Sequence, residues 1–221
     1  MNTDITRIER LMTLATGDEK HDSSSRSTLD VLWVLYDRVM HYDPKNPRSE
    51  DRDRFVLSKG HGCVSFYAVL ADKGFFPPAI LKTFLKWESI LGAHPDRNQV
   101  PGAEVSTGSL GHGFPMAVGI ALALRIKKNP RRVFVLIGDG ECNEGTVWET
   151  ALLAGDQHLS NLTCIVINNY SSTPNLGDIA AKFAAFGWAA TTINGHSHEQ
   201  IYEALSRSSS THPTAVIAEI R

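Results

Sequence analysis

Apolar and polar positions follow two rhythms along this chain. In the second half, uninterrupted apolar runs lie within VFVLIGDG (133–140), TCIVINN (163–169) and PTAVIAEI (213–220), each bounded by glycine, asparagine, proline or charge. Such runs predict strands. The segments between them, ECNEGTVWETALLAGDQHL, DIAAKFAAFGW and GHSHEQIYEALSRSSS, read as helices, and AATTIN (189–194) as a further short strand. From Arg132 onward strand and helix alternate, which predicts an α/β fold: a doubly wound parallel sheet flanked by helices.

Upstream the rhythm is mainly helical. Ile5, Ile8, Leu11, Met12 and Leu14 are spaced for a surface helix over 4–16. The polar run GDEKHDSSSRS follows, and Ser27 or Thr28 is placed to cap an apolar helix, LDVLWVLYDRVM. HYDPKNPRSEDRDR is a charged loop with no assigned function. FVLSKGHG is an extended piece that ends in a glycine-flanked histidine, His61. CVSFYAVLADKG predicts a buried helix stopped by Gly74, and PPAILKTFLKW a helix with Pro77 and Pro78 near its start. The long irregular segment ILGAHPDRNQVPGAEVSTGSLGHG carries His94 and His112, and irregular segments of this length inside compact domains are usually functional. It opens the helix FPMAVGIALALRIKK, whose Ala117, Gly119, Ala121 and Ala123 predict tight, largely buried packing.

Composition narrows the function classes. The chain has 221 residues, enough for a substantial core, with 42% hydrophobic and 21% charged residues. The net charge of −2 favours neither nucleic acid nor a membrane surface as partner. Cys63, Cys142 and Cys164 are scattered, which predicts reduced thiols and a cytoplasmic setting. The N-terminus MNTDITRIER has no secretory pattern, and no apolar run reaches the ~20 residues of a spanning helix. No repeat or boundary is visible, so residues 1–221 are expected to form one domain.

Candidate chemistry concentrates in 133–169. Two neighbouring parallel strands joined by a helix bring both carboxyl ends to the edge where open α/β sheets bind ligands. Asp139 follows the first strand, and Asn168 and Asn169 close the second. Alone, GDGECNEG reads equally as a tight turn with a capping aspartate. With the asparagine pair, Asp139 and Asn169 can offer oxygens to one Mg2+ or Ca2+, and the carbonyl of Ser171 a third, while Gly140 leaves room for a diphosphate. The glycine turn GSLG feeds a helix N-terminus with free N–H groups, a further anion site.

GDG followed some thirty residues later by NN resembles the thiamine diphosphate fingerprint. LSKGHG, GAHPDR, PGAEVSTGSLGHG, GDGECNEGTVWE and INGH resemble, in order, the N-terminal half of transketolases, over roughly residues 5–220. The resemblance implies the diphosphate-binding domain of a thiamine diphosphate enzyme. Asp139, Asn169 and the Ser171 backbone would hold Mg2+, with Ca2+ or Mn2+ as substitutes. His61, Gly138, Asp139, Gly140, Glu141, Asn169 and the turn Gly108, Ser109, Leu110 and Gly111 would bind the cofactor. His61 and His94 would move protons near the reacting carbons, work suited to imidazoles of near-neutral pKa. Glu144 resembles the glutamate that links the two active sites across the family's dimer. His21 aligns with a family histidine but has lost its glycine-rich frame, and it reads alternatively as a solvent-exposed loop residue. His112 stands where the family has glutamine. His41, His158, His196, His198 and His212 read as surface or capping residues.

The implied activity is transfer of a two-carbon ketol unit between a ketose and an aldose, as sugar phosphates or related substrates. The family's pyrimidine-binding and C-terminal domains have no counterpart here, nor does its KGKG-type segment. This implies a split enzyme, a heterotetramer in which a partner subunit carries the pyrimidine domain and without which this chain is inactive. NYSSTPNLGD is shorter than the family's loop and lacks its IDG. NNYSSTP is similar to a segment of 2-oxo-acid dehydrogenase alpha subunits, so a 2-oxo-acid-decarboxylating subunit is the second reading. A protein that keeps the fold without activity is the third.

Overall fold

The computed structural model describes residues 5–17, 21–207 and 209–220; residues 18–20, within the predicted polar turn, and residue 4, the predicted start of the first helix, lie outside them. Strands β1 (Arg54–Leu57), β2 (Val133–Gly138), β3 (Leu162–Asn168), β4 (Ala189–Asn194) and β5 (Thr214–Glu219) form one sheet in the order β1-β2-β3-β5-β4, every pair parallel. The expected doubly wound α/β architecture is therefore present.

Strand periodicity divides the core in two. Phe55, Leu57, Phe134, Leu136, Ile165, Ile167 and Val216 face helices α1 (Ile5–Met12), α2 (Asp22–Val34), α3 (Cys63–Asp72) and α7 (His198–Ser206). Their neighbours Val56, Val135, Ile137, Cys164, Val166 and Ile217 face α4 (Gly113–Ile126), α5 (Gly145–Asp156) and α6 (Ile179–Ala185). Helices on both faces explain why β2, β3 and β5 are apolar without alternation. β4 is an edge strand, and Ala189, Thr191 and Thr192 on it are exposed.

Three sequence expectations need correction. The second helix starts at Asp22, not after a Ser27 or Thr28 cap, and runs on as a wider π-type turn over Leu35–Val39. Two of its serines are buried and bonded to other elements: Ser25 Oγ donates to the carbonyl of His61 at 2.9 Å, and Lys59 Nζ donates to Ser27 Oγ at 2.8 Å. Tertiary partners thus overrode a polar run that reads locally as a turn. PPAILKTFLKW forms only a short 3-10 run, Pro78–Thr83, broken by positive φ at Leu85 and Glu88. Finally, α4 is buried along one stripe, Phe114, Ala117, Val118, Ala121 and Leu124, while Met116, Gly119 and Ala123 remain exposed. Among the described residues no helix is long and apolar enough to cross a membrane.

Candidate active site at the carboxyl edge of the sheet

The ends of β1, β2 and β3 converge on one edge. Two turns there are tied together by a buried carboxylate, Glu141, which is 1% exposed. Its Oε1 accepts from Ser58 Oγ at 2.6 Å and from the Gly111 amide at 3.0 Å, and its Oε2 accepts from the Gly138 amide at 3.0 Å. One side chain therefore fixes the end of β1, the GSLG turn and the end of β2. Burial raises the Glu141 pKa, and the three hydrogen bonds oppose that shift. Its carboxylate is turned inward as a brace, although the residue also lines the cavity.

Asp139 is 1% exposed and caps the turn that follows β2. Its carboxylate accepts from the Gly140 amide (2.9 Å), Ser171 Oγ (2.6 Å) and the Ser171 and Ser172 amides (2.6 and 3.1 Å). The loop after β3 is thereby held against the end of β2. Asn169 donates through Nδ2 to Ser27 Oγ at 3.5 Å, but its Oδ1 is buried with no partner. A buried oxygen without a donor is costly, and a hard cation is the kind of group that would satisfy it. Among the described residues no group of three or more His, Cys, Asp or Glu side chains is placed to hold a metal. A cation here would rest on one carboxylate with amide and carbonyl oxygens.

Three histidines meet beside this edge. His21 stacks on His61 with ring centroids 3.9 Å apart, and His61 lies 5.6 Å from His94. His21 holds a left-handed conformation, φ 47°, at the N-terminus of α2. The glycines around His94 make room for its ring: a Cβ on Gly60 would lie 2.4 Å from His94 Cδ2, and one on Gly108 3.0 Å from Cγ. Cys63 Sγ to the Ala93 carbonyl (3.1 Å) and Tyr67 OH to the Gly92 carbonyl (3.0 Å) hold the segment that carries it. Burial lowers the pKa of both His61 and His94; the other histidines add to this for His61, and His21 does for His94. Both rings are thus biased toward the neutral form, able to accept or donate a proton.

A cavity of about 170 Å3 joins these groups. Of the residues expected at the site, His61, His94, Gly108, Leu110, Gly138, Asp139, Gly140, Glu141 and Ser171 line it. Ser109 is exposed on the turn, and Asn169 sits at the end of β3. Glu144 precedes α5, packed so closely on the turn that a Cβ on Gly111 would lie 3.0 Å from its own. His112 is exposed, with Nδ1 3.0 Å from the Leu110 carbonyl. His196 and His198 are engaged elsewhere, both on Asp30 at 3.0 and 2.7 Å.

Ser24, Lys59 and Gly60 also line the cavity, beyond the residues that the sequence points to. Lys59 stood inside the SKGH word, so its position beside His61 was the available signal. Ser24 lay in a featureless serine run. Burial lowers the Lys59 pKa to about 8, against the pull of Asp139 and Glu141. The three cysteines are free, buried and separate, and burial pushes Cys63 and Cys142 up to about 12.

Comparison with known proteins identifies the family. Residues 3–220 match the family model described as transketolase, thiamine diphosphate binding domain. A protein of Rhodococcoides fascians named ferredoxin fas2 is 49% identical over 217 residues, 96% of this chain and 71% of that protein. The 6-deoxy-6-sulfo-D-fructose transketolase subunit SqwG of a Clostridium species is 40% identical over 207 residues, 90% of this chain and 74% of that protein. Transketolase from Leishmania mexicana superposes with a TM-score of 0.84 at 28% identity, over 98% of this chain but 36% of that one. The parallel sheet, the ordered words along the chain and these likenesses lead to one conclusion: the chain belongs to the transketolase family, as its thiamine diphosphate-binding domain.

Proposed function

We propose that this chain is the diphosphate-binding subunit of a thiamine diphosphate- and Mg2+-dependent transketolase-like transferase, completed by a partner subunit that carries the pyrimidine-binding domain. The observation that carries the reading is the buried, unpartnered Oδ1 of Asn169 just past the end of β3, on the strand adjacent to the one that Asp139 follows. Asp139, Asn169 and the Ser171 carbonyl would hold the metal. Gly138, Gly140 and the turn from Gly108 to Gly111 would receive the diphosphate, with His61 beside it. When bound, thiamine diphosphate supplies the nucleophilic carbon and the electron sink for cleaving a bond next to a carbonyl.

The chain's own residues then do three things. Glu141 holds the two turns in register, so that their amides need not reorganise around negative charge. His61 and His94, biased toward neutrality, exchange protons with substrate hydroxyl and carbonyl oxygens, and His21 packs on His61 to orient it. Glu144, beside the turn, is the candidate link to the second active site.

Two observations support completion by another chain. The 170 Å3 cavity is smaller than the ~300–1,000 Å3 typical of small-molecule sites, as expected for half a site. Leu110, Met116, Leu152 and Leu153 are 37–55% exposed on the turn and on α4 and α5. The relative SqwG is itself named a subunit. The test is to assay ketol transfer and thiamine diphosphate binding for the purified chain, alone and mixed with its pyrimidine-domain partner. Both should appear only in the mixture. Activity of the chain alone would end the shared-site reading, and CO2 release from a 2-oxo acid without ketol transfer would replace the reaction.

A further inference from the structure

A second polar cavity, about 630 Å3 in volume, lies where the loop leading into β1 meets the excursion 97–104. It contains Arg48, Arg52, Arg54 and Arg97, with Glu50 and Glu104 as its carboxylates. Glu104 pairs with Arg52 at 2.7 Å, and Glu50 turns toward Lys127 at 3.3 Å. The nearby Asp53 carboxylate is occupied by the amides of His41 and Arg132, each at 2.9 Å. The positive charge is therefore not balanced from within.

Two details make this more than a solvated basic face. Arg52 Nε is buried and has no hydrogen-bond partner. Arg54 is 9% exposed, and its guanidinium donates to the carbonyls of Glu50 and Arg52. Burial, and then the neighbouring Arg52, lower its pKa from the usual guanidinium range, so the cavity holds cations at an electrostatic cost that an anion would relieve. Arg48 and Arg97 stand exposed at the rim.

The excursion is anchored. Asp96 accepts from the Asn98 amide (2.9 Å) and Ser106 Oγ (3.0 Å), and Ser106 Oγ accepts from the Arg97 amide (3.0 Å). Val100 is buried in the core. The excursion leaves from His94 and returns at Gly108, two residues that line the other cavity.

We propose that this cavity is a binding site for a phosphorylated small molecule, separate from the cofactor site. Guanidinium groups bind tetrahedral oxyanions through paired N–H donors. The volume is within the range of small-molecule sites and exceeds the needs of a bare phosphate. This inference is independent of the proposed ketol transfer, since it needs neither the cofactor nor the partner.

The test titrates the full chain with inorganic phosphate and with a hexose monophosphate, by calorimetry and thermal shift, against sodium chloride at equal ionic strength. The control protein is the double variant R48A/R97A. Both residues are exposed, so its melting temperature without ligand should match the parent. The parent should bind saturably, the sugar phosphate more tightly than inorganic phosphate, and the double variant at least about tenfold more weakly, the scale of losing charged hydrogen bonds. R97K should recover part of the loss, because an ammonium restores charge without the fork. Equal binding by the double variant, or a chloride effect of the same size, would overturn the proposal. So would phosphate binding that disappears in Asp139→Ala but survives in R48A/R97A.

Discussion

At the carboxyl edge of the sheet, the polar groups are short and locked. Asp139 and Glu141 are each held by at least three donors, and the His94 ring sits against Gly60 and Gly108. At the entry to β1, the polar groups are long guanidinium side chains, two of them exposed at the rim. The first region offers oxygens and amides, so a diphosphate bound there would call for a cation between it and the carboxylate. The second offers positive charge directly. Preorganised groups suit positioning for chemistry, whereas flexible charges suit reversible capture of an anion.

The largest expected break in this contrast is Asp139→Ala. It removes the buried carboxylate at the proposed metal position and leaves the Ser171 and Ser172 donors unpaired. Cofactor retention by the assembled complex should fall roughly 1,000-fold, the scale of about 3–5 kcal/mol for breaking a buried charged pair. Phosphate binding at the arginine cavity should be unchanged. Unaltered cofactor retention would reject the metal assignment.

Glu141→Ala comes next. It strands the Ser58, Gly111 and Gly138 donors and unties three segments at once. A loss on the order of 3 kcal/mol is expected, or a fall of ~6–12 °C in melting temperature. Glu141→Gln should lose less, because it keeps the shape and part of the bonding. A silent alanine variant would show that the turns hold together without the brace.

The smallest expected effect is a pH dependence. Burial lowers the Lys59 pKa to about 8 in the folded chain, against 10.5 for the ordinary side chain. The unfolded chain therefore binds more protons between these values, and stability rises with pH across that window. The contribution is fully present above 10.5 and is lost as the pH falls through about 8. Comparing wild type with Lys59→Met in metal-free urea unfolding from pH 7 to 10.5 should show a difference changing by about 3 kcal/mol at most. Parallel pH profiles would place Lys59 in a wetter setting than its burial indicates.

Much of the first region was legible in the chain and little of the second. GDG, NN, SKGH and the GSLG turn are local words, each with its own backbone requirement at the end of a strand. Residues 41–54 read only as a charged loop. Arg97 closes the word GAHPDR, whose recognisable chemistry lies in His94. The arginine cavity exists because residues 47–54 and 97–104 meet in space, and no local periodicity encodes that meeting. The premature start of α2 has the same origin: the hydroxyls of Ser25 and Ser27 bond to His61 and Lys59, more than thirty residues away.

The sequence by itself determined the apolar runs that become β2, β3 and β5, the helices between them, and the identity of the groups at their ends. Those features arise from short-range pattern: burial on both faces selects continuous apolar strands, and a strand leaving the sheet must turn. Only the tertiary structure decided that Glu141 ties the ends of β1 and β2 to the GSLG turn, that Asn169 keeps a buried oxygen without a partner, and that three histidines share one corner. Each depends on hydrogen bonds or ring contacts between segments far apart in the chain, and those form only when the two faces of the sheet are packed.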